Sequence, residues 1–445
     1  MRHTGDGGTG SLRWAIEQAN QTPEDDRIDL SQVSGIITLQ RSLPVITSNL
    51  FITGDGNDII SGNHAHRVFS VSQGEVAIGH LTIRDGLAQG EHGQDGAGGS
   101  AGMGGGLLID EGTVILEDVH FIHNQAIGGN GSTRASTLHS QVNSSQNKYK
   151  VNRGAILGIN GVSLDQDSSA GSSPIGITIG SEHNRFRANR GAIAGVNGIG
   201  VDGIGTIAFA GGGGFGGFGN AGNGGNGGNG GAQGGNGGNG GDGGDGGIGI
   251  FGSFGQWDGQ GDIGAIAFGG GGGFGGFGNA GNGGNGGNAI ESIANGGNGG
   301  NGGNGGFGGG GGSGGMGGAG GIAGRAGQAG TPGKGGFGGG DGDIGLGGGG
   351  GGFGGAVFVR SGRLILSNTV FEGNEAMGGT GAHSSQGKGG AIFVFPESLS
   401  ESAGIASPPQ VISLEKQPMF RENMASDAGC TTMDNANIYG MITVR

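Results

Sequence analysis

Glu117 and Asp118 are adjacent carboxylates inside a short apolar run, the raw material from which a polysaccharide lyase or hydrolase builds its acid and base. Such an enzyme needs its carboxylates on neighbouring elements, flanking the bond to be cut. In the similar runs of this chain the counterparts of Asp118 are His80, His183, Asn368 and, more faintly, Gln417. That variation suits a hydrogen-bonding corner better than a catalytic row. His120 and His123 invite a metal, but an odd separation on a strand points the two rings to opposite faces. His64 and His66 share a face, yet no carboxylate, Cys or further His stands at ligand spacing. Gly54-Asp55-Gly56-Asn57-Asp58-Ile59-Ile60 matches one copy of the calcium-binding nonapeptide roll, with Gly240–Ile248 a near miss. That ion site needs copies in tandem, so the lone copy reads as a turn followed by a strand. No Gly-Lys-Ser/Thr follows the glycine runs, the nearest lysine being Lys334, so they are not nucleotide-phosphate loops. The expectation is no catalytic, cofactor-binding or metal residue set, no cofactor, and a chain that is not an enzyme.

The elements that would position these residues repeat. Phe-x-x-Asn occurs at Phe121–Asn124, Phe186–Asn189, Phe371–Asn374 and Phe420–Asn423. Gly/Arg-Gly-Ala/Gly-aliphatic occurs at Gly104–Leu107, Arg153–Ile156, Arg190–Ile193, Gly354–Val357 and Gly389–Ile392. The runs Val76–Ile83, Val114–Phe121 and Leu364–Phe371 share one pattern. Apolar residues alternate up to a polar position, and a large apolar residue follows three places later. We read this as strand, corner, strand, with Phe121, Phe186, Phe371 and Phe420 forming an inward column. A unit of this kind cannot bury its apolar face alone and must stack on its neighbours, which makes a solenoid. Ser11–Asn20 reads as a short amphipathic helix with a Ser cap that closes the solenoid's first end.

Composition narrows the function. Glycine supplies 128 of 445 residues and charged residues only 13 %, about half the usual globular share. With 8 Pro and no Gly-X-Proline period, collagen is excluded. A net charge of −14 argues against nucleic acid and against anionic lipid. The single Cys430 allows no internal disulfide, and no apolar run is long enough for a membrane helix. The first residues hold no signal-peptide pattern, so export is not readable from them.

The glycine block carries an internal duplication, Ile204–Phe209 recurring as Ile263–Phe268. Its Asn residues keep a three-residue register at Asn220–Asn229, Asn236–Asp245 and Asn295–Asn304. That period fits a left-handed helix of three residues per turn, with Asn on one edge and bare glycine on two. The competing reading is a flexible linker.

At Gly354–Val357 with Phe371–Asn374, and at Gly389–Ile392, the chain resembles the polymorphic outer-membrane protein repeat family. Gly10–Asn20 looks like the segment that opens such repeats. The resemblance spans about residues 5–193 and 353–440. It implies a right-handed parallel β-helix, export to the cell surface, and adhesion or host contact. The chain departs from the family in showing neither a signal peptide nor an anchoring β-barrel. The glycine block also resembles glycine-rich repeats of mycobacterial surface proteins.

The expected fold is all-β: a right-handed parallel β-helix with an N-terminal capping helix and a polyglycine-II-like or disordered glycine-rich insertion. The expected segments are a cap at 1–35, rungs at 36–194, the insertion at 195–352 and further rungs at 353–445. The expected function is a non-enzymatic secreted or cell-surface bacterial protein, extracellular or at the outer membrane. It would present inserted loops to a glycan or a surface protein and possess some self-association, with no nucleic-acid partner and no membrane-spanning segment. The alternatives are a polysaccharide lyase or hydrolase, and an ice-binding or matrix protein using the Asn/Gly faces.

Overall fold

A computed structural model describes residues 1–33, 35–133, 298–320, 324–400 and 407–445. It also describes a few isolated residues and the backbone of short strands between 149 and 274. One α-helix, Leu12–Ala19, stands at the start. Ser11 caps it by accepting from the Trp14 N–H at 3.1 Å, and Leu12, Ile16 and Ala19 are buried beneath it. Asp6 and Arg13 lock the cap with a buried ion pair at 2.6 Å, and Arg13 also donates to the carbonyls of Arg41 and Ser42. Breaking such a pair strands a buried charge.

Most of the remaining regular structure among the described residues is parallel strand. Leu50–Ser61, Glu75–Arg84, Thr113–Ile122, Arg363–Ser367 and Gln410–Ser413 lie side by side in a ten-stranded sheet. A five-stranded parallel sheet runs through Phe69–Val71, Leu107–Ile109, Val357–Val359, Ile392–Val394 and Ile438–Tyr439. A four-stranded and a three-stranded parallel sheet complete the body. Within Thr113–Ile122 the buried positions are Val114, Leu116, Val119 and Phe121. Alternation breaks once, at Asp118, whose φ of 51° turns the backbone into the left-handed region. His80 and Asn368 make the same corner with φ of 55° and 46°.

The Phe-x-x-Asn signature has a physical cause. Asn124, Asn374 and Asn423 are buried and form a ladder between neighbouring repeats. Asn374 Oδ1 accepts from Asn124 N (2.9 Å) and Nδ2 (3.0 Å), and Asn423 Oδ1 accepts from Asn374 N (3.0 Å) and Nδ2 (2.9 Å). Each Nδ2 also reaches the carbonyl of the preceding repeat's large residue: Ile83, Phe121 and Phe371, all at 3.0 Å. Two residues separate each stacked ring from the amide of its own repeat, and the amide of the next repeat bonds the ring residue's carbonyl. Phe121 stacks on Phe371 at 5.1 Å, and Phe371 on Phe420 at 5.5 Å. Truncating a ring buried like this costs about 3–5 kcal/mol.

The expected column therefore needs correction, because Phe186 is not in it. Its strand, Phe186–Ala188, pairs with Tyr149–Val151 in a separate two-stranded sheet. Phe121 meets Phe371 directly across a constant offset. Gly102 pairs with Gly352, Leu107 with Val357, Thr113 with Arg363 and Gln125 with Glu375.

The expected fold class, an all-β right-handed parallel β-helix carrying a polyglycine-II-like or disordered insertion, is corrected on the same grounds. The described strands fall into seven separate sheets, and not all of them belong to one parallel solenoid. Val196–Val201 with Gly205–Phe209, and Ile248–Gly252 with Gly271–Phe274, run antiparallel. What stands, among the described residues, is a mostly β protein of predominantly parallel sheets with one α-helix.

The described part of the glycine block, 298–320 and 324–351, is bonded into this body. Gly99 donates to Gly348, Gly310 to Gly99, Gly348 to Gly311, and Gly350 to Gly129, each at 2.8 or 2.9 Å. Phe307, Phe337 and Phe353 enter a second aromatic core with Phe358, Phe393, Phe395 and Tyr439 on the outer side of the five-stranded sheet. Backbone density decides the composition here. A Cβ on Gly333 would lie 1.7 Å from the Gly303 carbonyl oxygen, and one on Gly336 would lie 1.8 Å from that of Gly306. Only glycine lets two backbones approach so closely.

Gly333→Ala is therefore expected to destabilise the protein by about 3 kcal/mol in urea unfolding and to open amide exchange across 298–342 first. Gly7→Ala is the control: no atom lies within 4 Å of its added carbon, and its effect should stay within about 0.5 kcal/mol.

Candidate functional site

Two surfaces collect the polar side chains that the fold places in rows. The first is the corner row. Asp118 sits between His80 on one neighbouring strand and Asn368 on the other. Its Oδ2 lies 3.2 Å from His80 Nδ1, and its Oδ1 accepts from Asn368 Nδ2. The sequence pattern makes these three residues equivalent corners, and the structure brings them together. Glu117 joins them: one ligand atom each of His80, Glu117 and Asp118 lies within 4.8 Å of the others. The donor set, one imidazole and two carboxylates, is chemically able to meet a divalent cation. His80 and Asp118 keep 45 % and 39 % of their side-chain surface, so water screens the pair and it contributes little to stability.

The arrangement does not supply a glycosidase dyad. Glu117 pairs in register with Gly79 on one side and Ser367 on the other, so no carboxylate faces it from an adjacent strand. His120 lies on its strand in register with Thr82 and Val370, while His123 stands beyond the strand in its own left-handed turn. Neither joins a ligand cluster among the described residues.

His64 has a partner that its sequence neighbourhood did not reveal, Asp85, with Nε2 3.5 Å from Oδ1. The signal that finds it is strand register, since Ser61 pairs with Arg84. His66 donates nothing to this pair. The Gly54–Ile60 turn spends its carboxylates on its own backbone: Asp55 accepts from Asn57 N and Asp58 from Asp55 N, both at 2.9 Å. Burial pushes the Asp58 carboxyl up, against the pull of the Asp55 N–H. Of Gly240–Ile248 only the final residue, where the strand Ile248–Gly252 begins, lies within the described residues. Lys334 is exposed and paired with Asp341 at 2.8 Å, and that hydrogen bond holds the Asp341 carboxyl below its ordinary value.

The second surface is the asparagine row. Asn298, Asn301 and Asn304 are exposed, the glycine after each is half-buried, and the intervening glycine is buried. Each Asn Oδ1 accepts the backbone N–H of the residue 30 places on. The acceptors Asn295, Asn298, Asn301 and Asn304 serve Arg325, Gln328, Thr331 and Lys334, all at 2.8 Å. Two parallel lines of exposed side chains result, one of Asn and one of Arg325, Gln328, Thr331 and Lys334. At a rise of about 3.1 Å per residue, successive positions on such an extended strand are about 9 Å apart. Elsewhere, a groove of 550 Å³ opens near the C-terminal strands between Val394, Phe395, Pro408, Pro409, Met433 and Tyr439, well removed from both rows in sequence and lining.

The left-handed corner and the Asp58 penalty each give a test. Asp118→Gly should be more stable than Asp118→Ala by about 1 kcal/mol in thermal unfolding, because both lose the carboxylate and only glycine also takes the Cβ out of positive φ. With its folded pKa raised above the unfolded value of 3.8, ionisation of Asp58 opposes folding at neutral pH, and the penalty fades as pH falls through the raised value. Asp58→Asn should raise Tm at pH 7 and lose that advantage in acid. No family model, curated protein or solved structure matches this protein, so its resemblance to a known repeat family rests on the quoted motifs alone.

Proposed function

We propose that this protein is a non-enzymatic scaffold of the cell surface or the extracellular space, bacterial in origin, which holds a glycan or a surface protein on the exposed face of its glycine bundle. The observation that carries this reading is the paired polar rows. Asn298–Asn304 and Arg325–Lys334 repeat at three-residue spacing on backbones tied together at every third residue. A polymer with its own regular repeat meets chemically similar groups at successive steps along such a face. The Phe-x-x-Asn and Gly-Gly-Ala motifs support placement outside the cell through the family they resemble. The acidic net charge is consistent with a partner that is neither nucleic acid nor anionic membrane. No described helix is long and apolar enough to cross a membrane.

The same rows favour one second reading, a regular inorganic surface such as ice. Both are tested by a variant that leaves the backbone bonds in place: Arg325→Glu, Gln328→Glu, Thr331→Glu and Lys334→Glu together. On a glycan and protein array the variant should lose at least about tenfold in affinity for whatever the parent retains. Thermal hysteresis in the parent, abolished in the variant, would instead establish the ice reading. Array binding that the four changes leave untouched would remove this face from consideration.

A further inference from the structure

Asn-Gly is the dipeptide most prone to spontaneous deamidation, because the glycine nitrogen can approach the amide carbon of the asparagine without hindrance. The described bundle holds this dipeptide at Asn130, Asn298, Asn301 and Asn304. All four are held in one way. The Asn Oδ1 accepts the N–H of a residue on the neighbouring strand, and the N–H of the following glycine donates to the carbonyl of that same residue. For Asn298 the partner is Gln328, with both bonds at 2.8 Å. For Asn301 it is Thr331 and for Asn304 it is Lys334, again with both bonds at 2.8 Å. For Asn130 it is Thr380, at 2.9 and 2.7 Å. Thr331 adds its hydroxyl to Asn301 Oδ1 at 2.7 Å.

We propose that these Asn-Gly pairs are latent modification sites that the clamp keeps closed. Deamidation begins when the glycine nitrogen attacks Asn Cγ. A new bond forms between that nitrogen and Cγ, the Cγ–Nδ2 bond breaks and ammonia leaves, giving a cyclic imide; water then opens the ring to aspartate or isoaspartate. Both reacting groups are engaged by one partner residue, so the nitrogen cannot turn onto Cγ until two hydrogen bonds open together. The isoaspartate product routes the backbone through the former side chain and adds a backbone carbon. In a bundle bonded at every third residue, that shifts all later glycines off their close contacts. A row chosen for its spacing is thus chemically fragile whenever it opens and durable while it is closed.

The experiment ages the full-length protein at mildly alkaline pH and follows each Asn-Gly peptide by mass spectrometry, beside the same protein held unfolded in guanidinium. Amide-to-acid conversion at Asn130, Asn298, Asn301 and Asn304 should be at least about tenfold slower in the folded protein. Gln328→Pro removes one N–H of one clamp and should accelerate Asn298 alone, with the other three sites as internal references. Gln328→Ala keeps the N–H and should leave Asn298 slow. Equal rates in folded and unfolded protein would overturn the proposal. So would a Gln328→Pro variant in which Asn298 stays as slow as in the parent while the reference sites show that the bundle is intact.

Discussion

The buried asparagine ladder is the constraint on which the remaining structure depends. A side-chain amide removed from water must satisfy its carbonyl and its N–H groups, and leaving one unpaired costs about 1–3 kcal/mol. Asn124, Asn374 and Asn423 satisfy one another, and each can do so only when its repeat sits in a single register on the next. The ladder therefore does more than add stability. It rejects a slipped pairing, which would move each amide away from the Ile83, Phe121 or Phe371 carbonyl that it needs. Because Asn124 and Asn374 are far apart in sequence, the same bonds also fix where the intervening residues must leave the sheets and return.

Glycine imposes a second order on top of this one. Bare glycine backbone loses more freedom on folding than any other residue, so a long glycine block is a poor candidate for fixed structure. Here the loss is offset by dense backbone hydrogen bonding at separations that any Cβ would forbid. The described bundle also needs large apolar side chains to fasten it to the sheets. Phe307, Phe337 and Phe353 provide them at its base, where Phe358 and Phe393 stack at 5.2 Å and Phe393 meets Tyr439 at 4.8 Å. The strand Val357–Val359 is buried on both faces for this reason: Val357 and Val359 face the aliphatic core and Phe358 faces the aromatic one. The two cores share a wall, so bundle and sheets are mechanically continuous.

Much of this was legible in the residues. The Ser11 cap, the amphipathic positions Leu12, Ile16 and Ala19, and the equivalence of His80, Asp118 and Asn368 followed from local pattern. Local pattern is what short-range capping and strand alternation depend on. The equivalence of Ile83 with Phe121 and Phe371 was visible too, and the ladder explains it, since all three offer their carbonyls to the next amide. What local pattern could not supply was the choice of neighbour. Phe186 carries the same signature as Phe121 yet pairs elsewhere, because stacking is decided by register over long stretches and not by one tetrapeptide. The partners of His64, and of Lys388 between Asp427 and Asp434, were hidden for the same reason: they lie across strands, not along them.

The two polar rows differ in what such a fold can use them for. The corner residues stand at positive φ, half-open to water, with their polar groups already turned on one another. Reactive chemistry gains from groups that are desolvated and aimed at a common point, and an open corner provides neither condition. The bundle face has the opposite merits. Its side chains have no single focus, but their spacing is set by backbone bonds and cannot drift independently. Recognition spread over many equal and weak contacts draws on that kind of rigidity, because each contact then forms without a further loss of backbone freedom. On the proposed reading, a glycine-dense bundle fastened to parallel sheets by phenylalanines would hold an extended partner along its polar rows.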